Sequence, residues 1–228
     1  MVTSAQATEY NLTYDGAVET INGAIFQQWD EPKPMGSGVI DAFVGIQGAN
    51  AGAQHGYNTN GIREFDTKPG FRTLLLSDIP IYATGGTNYR EFLLDINQNV
   101  SSTILSIDKI QIFLETTDSL SGYPGVFSAP IYDLDAGGDN YAKLDDRFGA
   151  GSGKGDMLLF VPDSAFTGAA NYNSTGNNYI YLYSMFGATF DGSGGFEEWA
   201  IGSGGTIIPE PATILLLGLG GLILRKKV

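Results

Sequence analysis

The sequence predicts an all-β chain, an antiparallel β-sandwich of jelly-roll type, with a single hydrophobic helix at its C-terminus. Three observations carry that expectation. Short runs alternate with a period of two, as in Tyr179-Ile180-Tyr181-Leu182-Tyr183, where tyrosines take one face and aliphatics the other. Segments rich in Gly, Asn and Asp separate those runs, and the 32 glycines are about twice ordinary usage. Residues 8–206 show almost no helical periodicity, whereas 212–224 is an uncharged stretch dominated by Leu, Ile and Gly.

Taken in order, strands are expected at 10–14, 17–26, 39–47, 71–76, 89–96, 105–114, 157–161, 179–183 and 196–201. Turn-rich stretches, 48–61 and 149–155 among them, separate them. Within 105–114 the apolar residues change phase. Leu105 and Ile107 lie before Asp108-Lys109, and Ile110, Ile112 and Leu114 follow in the other register, which is the shift that a bulge or bend produces. Residues 163–166 read as a short helical turn capped by Asp163.

Composition excludes several functions. A net charge of −13 argues against a general nucleic-acid binder, which needs a basic face. Without cysteine there is no disulfide framework, thiolate metal site or Cys nucleophile. One histidine leaves no His-rich metal cluster. Of the 25 acids and 12 bases, the last twenty residues hold one acid, Glu210, and three bases, so the rest carries 24 acids against 9 bases. A basic, apolar tail is joined to a strongly acidic body.

The tail runs Pro209-Glu210-Pro211, then the apolar residues 212–224, then Arg225-Lys226-Lys227. As a helix, thirteen residues rise about 20 Å, against a hydrocarbon core of about 30 Å. Tilt, local thinning and snorkelling of Arg225, Lys226 and Lys227 would let so short a segment insert. The basic cluster then marks the cytoplasmic side, with the acidic body across the membrane. Pro211 suits the first turn of such a helix.

Pro-Glu-Pro, a short apolar helix and a terminal basic cluster, in that order, resemble the PEP-CTERM sorting signal of bacterial envelope proteins. The resemblance implies export through the inner membrane and transient anchoring by the tail. It also implies cleavage near Pro209-Glu210-Pro211 by an exosortase, a membrane-embedded protease, and delivery to the cell surface or an extracellular polysaccharide matrix. Residues 1–7 are expected to be the remnant of a secretion signal starting upstream, since Ala5-Gln6-Ala7 has the form of a signal-peptidase site. The body is then 8–206 and the sorting signal 207–228. Blocks such as Phe71-Arg72-Thr73-Leu74-Leu75-Leu76-Ser77-Asp78, Tyr89-Arg90-Glu91-Phe92-Leu93-Leu94-Asp95-Ile96-Asn97-Gln98 and Gly195-Phe196-Glu197-Glu198-Trp199 resemble a recurrent body type among PEP-CTERM proteins, which brings no assigned activity.

In the body, Asp133-Leu134-Asp135-Ala136-Gly137-Gly138-Asp139-Asn140 begins like an EF-hand loop. Gly137 and Leu144 stand where further ligands belong. What remains is a looser calcium loop using Asp133, Asp135 and Asp139, joined by Asp145 or Asp146, or else a turn closed by Asx hydrogen bonds. Gly151 to Asp156 lacks the Gly-Lys-Ser/Thr ending of a phosphate loop and reads as a connection. Glu197 and Glu198 are adjacent on a strand and point to opposite faces, so they cannot form a glycosidase pair. His55 reads as a loop residue. Tyr179, Tyr181 and Tyr183 share a face that would serve either as a platform for polysaccharide rings or as cross-strand packing. No catalytic residues are expected. The reading is an exported, non-enzymatic surface or matrix protein. Its alternative is a carbohydrate-binding module, with calcium support.

Overall fold

A computed structural model describes residues 7–29, 40–48, 52–60, 63–147, 155–193 and 195–202. Strand β1 is Thr8–Asn11, β2 Val18–Ile21 and β3 Ala24–Gln28. The stretch 17–26, expected as one strand, is therefore a hairpin. Asn22 and Gly23 both take positive φ, 49° and 87°, the backbone of a type I′ turn, and Ile21 pairs directly with Ala24.

Next come β4 (Ala42–Ile46), β5 (Gln54–Tyr57) and β6 (Leu74–Leu75), which runs into a 3-10 turn at Leu76–Asp78. β5 corrects the expectation of a loop around His55: this polar segment is extended because it pairs antiparallel with a neighbouring strand. β7 (Ile81–Thr84) and β8 (Thr87–Asp95) form a second hairpin through Gly85-Gly86. The long β9 (Ile104–Glu115) is followed by β10 (Tyr132–Asp133), β11 (Asn140–Asp145) and β12 (Met157–Pro162). A single helical turn, α1 (Asp163–Thr167), precedes β13 (Tyr179–Phe186) and β14 (Glu197–Ile201). Asp163 does not cap α1. Pro162 occupies the cap position, and the Asp163 carboxylate is paired with Arg90 Nε at 2.6 Å.

Two sheets result. One runs β1-β11-β9-β13-β5, with β10 beside β9 and β6 beside β13; the other runs β2-β3-β12-β8-β14-β4, with β7 beside β8. Every pairing is antiparallel except the parallel edge pair β1 and β11. One buried cluster draws on both sheets, with Ile107, Ile112 and Leu182 from the first and Phe26, Phe92, Leu159 and Trp199 from the second. Burying each such side chain contributes about 1.5–3 kcal/mol.

The phase change in β9 has its expected cause. Met185 pairs with Lys109 and Phe186 with Ile107, so Asp108 is skipped as a bulge. That extra residue turns Leu105 and Ile107 to the same core as Ile110, Ile112 and Leu114. Asp108 accepts hydrogen bonds from Ser106 Oγ at 2.7 Å and from the N–H groups of Ala188 and Thr189 at 2.8 and 3.0 Å.

Candidate functional site

As the chain leaves β8, three successive backbone N–H groups each meet a different carboxylate. Ile96 donates to Asp156 Oδ2 at 2.8 Å, Asn97 to Glu197 Oε2 at 3.0 Å, and Gln98 to Asp146 Oδ2 at 3.0 Å. Asp156 lies just before β12, Glu197 opens β14, and Asp146 follows β11, so the ends of strands from both sheets are gathered here. Glu197 Oε1 also accepts from Gln98 Nε2 at 2.7 Å and from Gln54 Nε2 of β5 at 2.8 Å. Gln98 Oε1 in turn accepts from Ser193 N at 2.8 Å. Gly195 permits this crowding: a Cβ there would stand 1.6 Å from the Asn97 carbonyl oxygen.

The acids are deeply buried, with 0 % of Glu197, 3 % of Asp156 and 6 % of Asp146 exposed. Burial pushes the Glu197 carboxyl up to about 8, against the pull of its three hydrogen bonds. Asp156 is raised well above the usual range, first by burial and then by the charges of Asp95, Asp146 and Glu197, while the Ile96 N–H opposes the shift. Asp146 is raised by burial, opposed by the Gln98 N–H and reinforced by Asp145. Among the described residues, none of Asp146, Asp156 and Glu197 is ion-paired to Lys or Arg; Arg147 is paired with Asp145 instead. Asp146 Oδ1 and Asp156 Oδ1 are buried with no hydrogen-bond partner.

The turn at Asp133, Asp135 and Asp139 is built differently. Asp133 Oδ1 accepts from Asp135 N at 2.9 Å and its Oδ2 from Gln111 Nε2 at 2.6 Å, while Asp135 Oδ1 accepts from Asn140 N at 3.0 Å. Asn22 Nδ2 donates to the carbonyls of Asp133 and Leu134 at 3.0 and 2.7 Å, tying the β2–β3 turn to this one. The Asp133 and Asp135 carboxylates are thus engaged in closing their own turn, as Asx residues do. Among the described residues, no group of three or more His, Cys, Asp or Glu side chains could by itself hold a metal ion.

The alternation at 179–183 is as expected, with Ile180 and Leu182 in the shared core and Tyr181 and Tyr183 on the opposite face. That face is covered, so Tyr181 and Tyr183, at 0 and 5 % exposed, do not form an open platform. Leu120, Tyr123 and Phe127 lie over them and over their cross-strand neighbours Tyr57 and Phe113, and Tyr179 is half-buried at the margin. The Tyr123 ring stacks on Tyr183 with centroids 4.0 Å apart, and the Tyr181 hydroxyl donates to Thr117 O at 2.9 Å. His55 Nδ1 lies 2.9 Å from the Tyr183 hydroxyl, and the half-exposed Phe65 ring leans on the imidazole at 4.3 Å.

The sorting residues and the segment 212–224 lie outside the described residues, so the expected C-terminal helix is not part of the structure described. The sequence decides their identity: residues 208–227 match the family model of the PEP-CTERM protein-sorting motif. The chain carries a PEP-CTERM sorting signal. The match contains Pro209, Glu210 and Pro211 together with Arg225, Lys226 and Lys227. No curated protein and no solved structure matches the chain. PEP-CTERM signals are processed by exosortases, so the motif marks an exported protein that a membrane protease handles. Among the described residues no helix is long and apolar enough to cross a membrane. Sequence reasoning singled out Glu197 only to dismiss it as half of a catalytic pair. It missed the grouping with Asp146 and Asp156, although Asp95-Ile96-Asn97-Gln98, an acid ending a strand followed by amides, was the available signal.

Proposed function

We propose that this PEP-CTERM protein is a non-enzymatic envelope protein whose β-sandwich body, 8–206, is delivered to the cell surface or extracellular matrix. Residues 207–228 act as address and temporary anchor. The sorting motif at 208–227 carries this reading. The segment 212–224 inserts as a short helix with Arg225, Lys226 and Lys227 on the cytoplasmic side, which presents Pro209-Glu210-Pro211 to the exosortase. A non-catalytic body is supported by the burial of Glu197 and Asp156, which a substrate could reach only if the sheets parted. Deleting 208–228 is expected to abolish membrane retention and C-terminal processing. The check is fractionation with intact-mass analysis in an exosortase-bearing host; a deletion variant that distributes and is processed like the full chain would overturn the reading.

A second reading, polysaccharide binding by the body, is favoured by one observation. Phe65 is 49 % exposed with φ at +57°, a costly backbone for a bulky residue, and its ring lies against His55, Tyr123 and Tyr183. An outward aromatic held in place this way suits stacking on a sugar ring. If the face binds glycan, Phe65→Ala lowers retention on polysaccharide in affinity electrophoresis by about tenfold, a loss of roughly 1.4 kcal/mol. Equal retention of the variant would remove this reading.

A further inference from the structure

Asp146, Asp156 and Glu197 place three carboxyl groups in one buried site, where an ionised acid without a partner is among the least tolerable features of a protein interior. The donors present favour the ionised form of each acid and so oppose the burial that raises it. Glu197 uses both oxygens as acceptors, from Asn97 N, Gln98 Nε2 and Gln54 Nε2, so neither is left over for a ligand. Asp146 and Asp156 each have one oxygen fixed by a backbone N–H, from Gln98 and from Ile96. The other oxygen of each, Oδ1, is buried and meets no donor. Nothing cationic in the described chain is paired with these acids.

We propose that Asp146 and Asp156 bind a calcium-type divalent cation through these two Oδ1 atoms. Two carboxylates do not complete a calcium shell of six to eight oxygens, and among the described residues no third acidic, His or Cys side chain joins them as a ready-made chelate. Main-chain carbonyls and water supply the remainder, the mixed oxygen set that a flexible hard-cation site uses. Glu197, with both oxygens engaged by its three donors, does not ligate. The ion would offset the buried charge and clamp the end of β11 to the start of β12, and so one sheet to the other. The inference does not rest on the export reading.

The test uses the full-length chain in mild detergent, stripped with chelator and titrated with calcium chloride alone at neutral pH. Calorimetry is expected to show one ion per chain, with affinity in the range of about 0.1–1 mM seen for extracellular modules. Saturating calcium should raise the thermal midpoint by roughly 5–10 °C. Asp156→Asn and Asp146→Asn should each weaken binding by about tenfold or more, and Asp133→Asn should leave it unchanged. The absence of both heat and shift at about 10 mM calcium overturns the proposal. So does a calcium response that survives Asp156→Asn, or one lost only in Asp133→Asn, which would place the ion in the turn after β10. Should Asp156→Asn fail to fold, Asp146→Asn and the wild-type titration give the same decision.

Discussion

Trp199→Ala is expected to destabilise the protein by about 3–5 kcal/mol. Trp199 is fully buried on the inner face of β14, within the core that both sheets share. Its indole Nε1 donates to Ser184 Oγ at 3.0 Å, and Ser184 belongs to β13 of the other sheet. Truncation therefore opens a large cavity and also leaves the buried Ser184 hydroxyl without this donor. Trp199→Phe separates the two terms. It keeps much of the packing and should cost less than Ala, with the hydrogen bond accounting for about 1 kcal/mol of that cost. Urea denaturation of the full-length protein and both variants is the measurement. A Trp199→Ala midpoint within error of wild type would mean that the two sheets do not share the core described.

Glu197→Ala is the second large effect, with an expected cost of about 3 kcal/mol or more in the presence of chelator. Removing this side chain leaves three donors facing a void: Asn97 N, Gln98 Nε2 and Gln54 Nε2. Buried donors without acceptors cost about 1–3 kcal/mol each. Glu198, the next residue, is half-buried on the opposite face, so Glu198→Ala should change stability by only about 0.5 kcal/mol. The contrast between neighbours is the informative result. Equal effects in the same denaturation series would show that Glu197 does not hold β14 to β5 and to the chain after β8.

Much of the fold was legible because it depends on local rules. The phase change across Asp108-Lys109 predicted the bulge, and the alternation at 179–183 predicted that the tyrosines and the aliphatic side chains take opposite faces. The hairpin at Asn22-Gly23 was equally legible and was overlooked, because the apolar run on both sides of it reads as one continuous strand. β5 was not legible: Gln54-His55-Gly56-Tyr57 has the composition of a loop and is extended only through its pairing with β13. The tyrosine face shows the limit of strand periodicity. Alternation assigns a side to Tyr181 and Tyr183 but says nothing of the Leu120, Tyr123 and Phe127 cover, which arrives from a distant part of the chain.

The site divides in the same way. The sorting signal was readable in full because its parts are contiguous in sequence: a Pro-Glu-Pro break, an apolar run and a basic end. The carboxylate group was not, because Asp146, Asp156 and Glu197 are separated along the chain and meet only around the backbone of Ile96, Asn97 and Gln98. Sequence alone determined that the chain is a β protein with an acidic body and carries an address for export, since charge, period-two patterning and a linear motif are local properties. Tertiary structure alone decided that Tyr181 and Tyr183 pack rather than present a surface, and that three acids share one buried site. Burial and charge proximity are set by which strands become neighbours, and that is a property of the whole chain.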